Sequence, residues 1–360
     1  MQYQYSIRLL LVGLLVSLIT IASWAVNDET QSDQPQLMPE EQSYPYGSEN
    51  FTKFVDDSCD APTFYSWMEK AYEKSGMRLP GMEHHTLAEA LAAQREEMAS
   101  IEDIRQRSKD ETRLAIWLYK LIKKTIPRFS VVRGYEFKNV MRYGERQCFL
   151  QASLIASMLQ EMGVQAGVVM VYQKPEGKFS NNGHTIVIVK LSSGRHILVD
   201  ASKPTPLVRD QGLLVRSPDY IYVRPIYSEK TFEITSYKTT TGGRLLEPLE
   251  VQTMDIDFML SQFMYYRGER TPGGLMEGKP TKQGLEMTAL YLEKSVNYCP
   301  SNQLAVYQLG RVYRLQGRLQ KALECFQQAH SLYAQCGWIP EGPKQFLKLT
   351  QEAVDKRVQR

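Results

Sequence analysis

Two runs of β-branched residues joined by three residues constrain the fold of this chain more than any other feature. The runs are 184–191 (HTIVIVKL) and 195–200 (RHILVD), and Ser-Ser-Gly194 lies between them. This composition, with a glycine in a three-residue connection, predicts an antiparallel hairpin in which Gly194 adopts a left-handed conformation. The register then follows, because Leu191 pairs with Arg195 across the turn.

That register predicts where two polar side chains lie. Asp200 falls opposite Ile186 and diagonal to His184, so that His184 and Asp200 share one face of the hairpin. Diagonal neighbours on one face have Cβ atoms roughly 7 Å apart, which is within reach of a His–Asp hydrogen bond. A two-residue turn would shift the register by one and place Asp200 on the opposite face. Each residue alone also fits a structural interpretation, as a strand-start histidine and a strand-ending aspartate.

A cysteine lies at the start of a predicted helix upstream of the hairpin. The segment 144–163 begins and ends with glycine, and Gly163 is typical of a helix C-terminus. Cys148 falls in the first turn, where the partial positive charge of the helix favours a thiolate and Arg146 adds to it. Free N–H groups of that turn would also hold an oxyanion. A buried structural cysteine is the other interpretation, and position alone does not decide. The apolar residues of the helix recur along one face: Leu150, Leu154, Ile155, Met158, Leu159 and Met162.

The three residues together match the requirements of nucleophilic catalysis. A thiol needs a base that removes or holds its proton, and an imidazole needs a carboxylate that fixes its tautomer. Cys148, His184 and Asp200 supply a nucleophile, a base and an orienting group in that order. We therefore predict a Cys-His-Asp catalytic triad.

The chain from about Arg113 to Ser202 resembles the transglutaminase-like branch of the papain-like fold. In that family a Cys opens a helix, a His starts a strand and an Asp ends the next strand. Here His184 follows Cys148 by 36 residues, and Asp200 follows His184 by 16. The chain departs from the family pattern in having Phe149 after the cysteine and Thr185 after the histidine. The local matches are Gly144-x3-Cys148, Gly163-Val-Gln-Ala-Gly167-Val-Val, Gly183-His184 and Leu198-Val199-Asp200-Ala201.

The resemblance implies an α+β fold, with a helical lead-in and an antiparallel sheet, over residues 51–270. It implies a thiol enzyme that acts on amide bonds of proteins or peptides, by hydrolysis or by acyl transfer. The calcium sites of animal relatives have no counterpart in the sequence, so we expect no metal and no cofactor. A catalytically silent envelope scaffold is the alternative, since the family includes such members.

The N-terminal segment predicts where the body resides. Leu9 to Val26 forms an uncharged run of 18 residues after Arg8, so residues 1–26 are a signal sequence or a membrane anchor. Residues 27–50 form a predicted disordered acidic linker. The body is then in the periplasm or outside the cell, membrane-anchored if the segment is retained and secreted if it is cleaved.

The near-neutral net charge of +3 hides a gradient along the chain. Residues 27–50 contain six acidic residues and no Lys or Arg, whereas residues 51–360 contain 42 Lys and Arg against 34 Asp and Glu, a surplus of 8. Such a surplus most often serves solubility, and it only weakly indicates binding to acidic partners or an anionic surface. Nothing in the sequence supports nucleic-acid binding. The five cysteines are an odd number, so at least one thiol is free or pairs between chains.

The C-terminal part shows a second resemblance, to the tetratricopeptide repeat. Residues 303–336 fit one repeat and Gly284–Asn302 resembles the second helix of another, so we predict tetratricopeptide-like helices over 283–336. A C-terminal helix or tail follows over 337–360. Two interpretations stay open: a helical pair packed on the catalytic domain, and a groove that binds a protein partner. The residues that carry the resemblance are Leu309-Gly310-x2-Tyr313, Gly317, Ala322-x3-Phe326 and Ala329.

Local patterns predict several further elements. Thr86-Leu-Ala-Glu89 has the form of a capping box and predicts a helix start. The segment Glu111–Thr125 reads as a helix that Pro127 ends. Strands are predicted at 220–226 and 231–236, and a helix over Met254–Tyr266.

Overall fold

The computed structural model describes residues 42–79, 82 and 85–358, which belong to one compact unit. This part of the chain is a mixed α/β structure in which helices precede an antiparallel sheet and more helices follow it. The predicted signal or anchor of residues 1–26 and the predicted linker up to residue 41 lie outside the described residues.

Four helices lead into the sheet. The capping box at Thr86 is present as predicted, because its hydroxyl accepts the N–H of Glu89 and the Glu89 carboxylate accepts the N–H of Thr86. The fourth helix begins seven residues before the predicted start at Glu111, because Asp103 caps it. The helices are α1 (Glu49–Asp56), α2 (Ala61–Ser75), α3 (Leu87–Ser100) and α4 (Ile104–Thr125).

A short connecting region carries the chain to the cysteine. Its two short strands pair in parallel. The helix that follows begins at Cys148, as the sequence predicted. The elements are β1 (Arg128–Phe129), α5 (Phe137–Tyr143), β2 (Glu145–Arg146) and α6 (Cys148–Glu161).

The sheet has eight strands and closes on itself. The strands follow the order β10-β9-β8-β7-β3-β4-β5-β6, and an additional pairing of His196 with Ile234 joins β5 to β9. The ninth strand begins three residues later than its predicted start at 231. The strands are β3 (Ala166–Gln173), β4 (Phe179–Lys190), β5 (His196–Val199), β6 (Leu207–Val208), β7 (Gly212–Arg216), β8 (Tyr220–Tyr227), β9 (Ile234–Thr239) and β10 (Leu245–Leu246).

The hairpin of β4 and β5 has the predicted register. Val187 pairs with Val199, and the Leu191 N–H donates to the Arg195 carbonyl at 2.7 Å. Gly194 has a φ of 78°, in the left-handed region that glycine adopts readily. The glycine in the turn therefore sets which hairpin residues share a face.

The two faces of the sheet bury different partners. The inner face holds a cluster that includes Val169, Val171, Ile186 and Leu198. The outer face packs against α6 and the lead-in helices through residues such as Val187. Because both faces are covered, β3 and β4 read as nearly continuous apolar runs.

The folded part begins earlier than the predicted end of the linker at residue 50. Tyr44 and Tyr46 are buried, and the Tyr46 N–H donates to the Ser157 carbonyl at 2.9 Å. The Tyr44 hydroxyl accepts the N–H of Val168 at 3.1 Å. The predicted end of the linker at residue 50 is therefore wrong for residues 43–50. This stretch is polar overall, but its tyrosines are buried in the folded part.

In the described part of the chain, five helices follow the sheet; they pack mainly on one another, and α10 contacts β8. The predicted repeat corresponds to α9 and α10, and the last helix inserts Phe346 beside Tyr307 and Phe326, with ring centroids 5.9 and 5.7 Å away. No helix of the described residues is long and apolar enough to span a membrane. All five cysteines fall in the described part and are free thiols. The helices are α7 (Ile256–Glu269), α8 (Lys282–Tyr298), α9 (Gln303–Leu315), α10 (Leu319–Cys336) and α11 (Glu341–Val358).

Candidate active site

Cys148 is the first residue of α6, and its thiol is partly exposed. The N-cap residue, Gln147, makes no capping hydrogen bond with its side chain. The N–H groups of the first turn of a helix have no intrahelical partner, so they remain available beside the sulfur. The sulfur also lies 3.0 Å from the Gln147 Oε1 atom, to which the thiol donates.

His184 and Asp200 are brought together as the hairpin register requires. His184 Nε2 and Asp200 Oδ2 are 2.8 Å apart. The other carboxylate oxygen, Oδ1, accepts the backbone N–H of Ser202 at 2.8 Å. Asp200 is buried, so this hydrogen bond fixes the ring of His184 with Nε2 toward the carboxylate. Nδ1 is then the ring nitrogen left to face the thiol.

The cysteine and the histidine perturb each other. Burial alone would raise the pKa of Cys148, but a hydrogen bond to His184, the charge of His184 and hydrogen bonds from Thr185 outweigh it and lower that pKa. Burial acts to lower the pKa of His184, but hydrogen bonds to Asp200 and Cys148 raise it to about 10. The pKa of Asp200 is lowered: burial opposes this, and the hydrogen bond and charge of His184 prevail. These directions favour loss of the thiol proton and protonation of the imidazole, and the thiolate form would no longer donate to Gln147 Oε1.

A chain of hydrogen bonds ties the loop after Asp200 to the helix of the cysteine. Gln151, in the second turn of α6, donates through Nε2 to the Ser202 hydroxyl at 2.5 Å. Its Oε1 accepts from Arg146 Nε at 2.9 Å, and Arg146 also donates to the Ile126 carbonyl. The guanidinium of Arg146 thus binds Gln151 and Ile126 rather than the thiol. The prediction that Arg146 stabilises a thiolate is not supported, and Arg146 instead holds Gln151 in position.

The turn of the β4–β5 hairpin is fixed from the other side by α4. The Glu111 carboxylate accepts the backbone N–H of Ser192 at 2.7 Å and its hydroxyl at 2.5 Å. The Ser108 hydroxyl accepts the N–H of Ser193 at 2.8 Å. Both ends of the hairpin that carries His184 and Asp200 are therefore held by helices.

Three residues near the thiol were not singled out from the sequence. Gln147 is buried and its Nε2 donor has no partner among the described residues. The buried Thr185 hydroxyl makes no well-formed hydrogen bond with them either, and Thr185 lies close enough to Cys148 to help lower the pKa of the thiol. Tyr266 of α7 lies near Cys148, and its ring packs on Phe149 at 5.4 Å. Gln147 and Thr185 adjoin Cys148 and His184 in the chain, so the sequence could have indicated them as neighbours of the predicted triad. Nothing in the sequence indicates that Tyr266 lies near the thiol.

A second buried carboxyl group, Asp210, lies near the histidine and aspartate. It is 1 % exposed, and its Oδ2 atom has no hydrogen-bond partner in the described part of the chain. Burial raises its pKa to about 6; the charge of His184 opposes the shift and that of Asp200 adds to it. Asp210 is thus a group that loses its proton within the range where enzymes are assayed.

Replacing Asp210 with Asn is expected to flatten the pH dependence of stability. The folded-state pKa lies above the ordinary 3.8, so the stability that the neutral carboxyl contributes is complete below pH 3.8 and is lost as the pH rises through about 6. Asp210→Asn should therefore be more stable than the natural protein at neutral pH, by about 3 kcal/mol. Urea unfolding at about pH 4 and about pH 7.5 measures the difference.

The exposed carboxyl group of Asp219 provides the matched control for that change. Asp219→Asn should change the stability at neutral pH by less than about 0.5 kcal/mol, as is usual for an exposed side chain. Equal stability of Asp210→Asn and the natural protein at neutral pH would show that Asp210 carries no buried charge.

Groups that could hold a metal are not gathered at this site. Among the described residues, no three His, Cys, Asp or Glu side chains cluster in a way that would bind an ion. The chemistry that the side chains themselves can perform is nucleophilic attack by sulfur assisted by a histidine.

Comparisons with known proteins identify no relative. No model of a known protein family matches the chain. A search of curated proteins also finds no match. What bears on the function is therefore the geometry of the site.

Proposed function

We propose that this protein is a thiol enzyme of the transglutaminase-like, papain-like class that acts on amide bonds of proteins or peptides. The observation that carries the proposal is the continuous chain from Asp200 through His184 to Cys148, in which the thiol has a lowered pKa. A reactive thiolate at a helix N-terminus, paired with an oriented imidazole, is the arrangement that acyl chemistry requires.

In the proposed reaction, the Cys148 sulfur attacks the carbonyl carbon and forms a C–S bond while the carbonyl oxygen becomes an oxyanion. Collapse of this intermediate breaks the C–N bond, and His184 gives its Nδ1 proton to the departing nitrogen. The resulting thioester is resolved by water or by an amine, whose proton His184 accepts. Asp200 keeps the imidazole oriented and stabilises its charged form.

Two donors would hold the oxyanion in this proposal. One is the backbone N–H of Cys148, which opens α6. The other is the Nε2 group of Gln147, a buried donor that has no partner among the described residues; the Oε1 atom of the same amide lies 3.0 Å from the sulfur. An unpaired buried donor costs stability, and an oxyanion in the transition state would satisfy it.

Gln147→Ala is expected to slow acylation of Cys148 by a peptide ester by about 100-fold, because one oxyanion donor is lost. Alkylation by iodoacetamide passes through no oxyanion, so its rate should change far less. The two rates are measured on the same preparation by mass spectrometry. A merely structural role for Gln147 would lower both rates together.

The reaction is tested by incubating the protein with glutamine-containing peptides, with and without a primary amine. We expect a thioester on Cys148, followed by hydrolysed peptide in water or amine-linked peptide when the amine is present. Cys148→Ala is the control. Turnover that is no greater than that of Cys148→Ala, with no thioester, would remove the proposal.

The proposed location follows from the N-terminal segment, and the proposed partners follow from that location. An N-terminal segment of residues 1–26 would export the body to the periplasm or the outside of the cell and associate it with the membrane. The substrate would be an envelope or extracellular protein or peptide. The alternative of a silent scaffold that binds partners through α8, α9 and α10 is less favoured, because the chain's own Phe346 occupies the side of α9 and α10 that Tyr307 and Phe326 line.

A further inference from the structure

The surface beside the cysteine carries a concentrated positive charge. Residues 120–146 contain eight Lys and Arg against two Asp and Glu, a net charge of +6. Both acidic residues are buried and paired: Glu136 with Arg267 at 2.7 Å, and Glu145 with Arg133 at 2.6 Å. The exposed cations of this segment that form no ion pair with a described residue are Lys120, Lys124, Arg128, Lys138 and Arg142.

Three apolar side chains project from the middle of this charge. Phe129, Val131 and Val132 are 49 %, 56 % and 66 % exposed. They lie within four consecutive residues, between Arg128 and Arg133. Single exposed apolar residues are ordinary, whereas a cluster on one loop calls for a partner that covers it.

The loop is held firmly against the segment that precedes Cys148. The Ser130 N–H donates to the Arg146 carbonyl at 2.8 Å, and the Gln147 N–H donates to the Gly134 carbonyl at 2.8 Å. A Cβ atom at Gly134 would lie 2.3 Å from the Arg146 carbonyl carbon, so only glycine permits this approach. Whatever binds the loop is therefore brought close to the thiol.

We propose that this surface docks the protein on an anionic lipid membrane. We call it the basic loop face and define it by residues 128–133 and Arg142, because Arg133 and Arg142 lie over the same ring of Tyr143, at 4.6 and 5.1 Å from its centroid. Its cations would attract the lipid phosphates, and Val131 and Val132 would enter the headgroup region. The inference does not depend on the proposed reaction.

The apolar tip favours a lipid over an acidic polymer. The cations alone would suit either an anionic membrane or an acidic polypeptide. Only the membrane has an apolar layer that can receive the two valines and the phenylalanine. The apolar residues project rather than line a groove, which suits insertion into a soft interface. Docking in this orientation would direct the triad toward substrates at the membrane surface.

Hydrogen–deuterium exchange of the full chain tests the proposal. The protein is mixed with vesicles of phosphatidylcholine alone, or of phosphatidylcholine with phosphatidylglycerol. We expect the amides of residues 129–133 to exchange about tenfold more slowly with the anionic vesicles only, and the effect to fade at high salt. Equal exchange with both vesicles would overturn the proposal.

Two variants and one competitor sharpen the outcome. Val131→Asp with Val132→Asp should abolish the protection, whereas Leu245→Asp, at an apolar residue 60 % exposed on β10, should retain it. Protection that survives the valine changes would contradict insertion of the loop. Protection by polyglutamate but not by anionic vesicles would assign the surface to an acidic polymer and overturn the lipid proposal.

Discussion

His184→Ala is expected to slow alkylation of Cys148 at pH 7 by about 1,000-fold, within the range attributed to a positioned base. Without the imidazole, the burial that opposes ionisation is no longer outweighed, so the pKa of the thiol rises. Asp200→Asn should give a smaller loss, because His184 remains but is no longer held by a carboxylate. Iodoacetamide labelling followed by peptide mass spectrometry measures each rate.

The second histidine of the hairpin supplies the control for that experiment. His196 is buried in β5 and hydrogen-bonds to the Tyr237 hydroxyl at 2.7 Å, a contact made without the thiol. His196→Gln should leave the alkylation rate of Cys148 close to that of the natural protein wherever the fold is retained. An unchanged rate in His184→Ala would mean that the thiol is not activated by the imidazole.

The largest expected loss of stability comes from a buried ion pair that joins α7 to Glu136, the N-cap residue of α5. Arg267 donates to both carboxylate oxygens of Glu136, at 2.7 and 2.9 Å, and also to the Asp57 carbonyl. The Ser58 hydroxyl donates to the same carboxylate at 2.6 Å. Arg267→Ala leaves the Glu136 carboxylate buried without a counter-charge, so unfolding should cost about 4 kcal/mol less.

A double variant distinguishes two contributions to the free energy of unfolding: that of the intact ion pair, and that of leaving one charge buried without its partner. Arg267→Met combined with Glu136→Met removes both charges and should be less destabilised than Arg267→Ala alone. Exposed Arg244, which pairs with Glu250, is the control, and Arg244→Ala should change stability by less than about 1 kcal/mol. If Arg267→Ala and Arg244→Ala are equally stable, the Glu136 carboxylate is solvated rather than buried.

Local patterns specified much of the candidate site because its geometry is local. The turn at Gly194 fixes the register, and the register alone places Asp200 beside His184. The start of α6 at Cys148 likewise follows from the spacing of apolar residues after Gly144. These features depend on contacts between residues that are near one another in the chain.

The remaining features depend on distant contacts and could not be predicted from one sequence. Tyr266 reaches the thiol only because α7 packs beside α6, more than a hundred residues away in the chain. The pairing of His196 with Ile234, which closes the sheet, has no local signal. Helices α1 and α2 were not predicted, since their short apolar patterns gain stability from packing on the core.

The most direct test of the central claim compares Cys148 with two other thiols of the same chain. Cys59 and Cys325 are also partly exposed, but burial first and neighbouring carboxylates second raise the pKa of each to about 11. Alkylation of the natural protein at about pH 6 is followed peptide by peptide. We expect Cys148 to react at least about 100-fold faster than either control thiol, because its pKa is lowered whereas theirs are raised, so a larger fraction of it is thiolate. If Cys148 reacts no faster than Cys59 and Cys325, it is an ordinary thiol and the catalytic triad is contradicted.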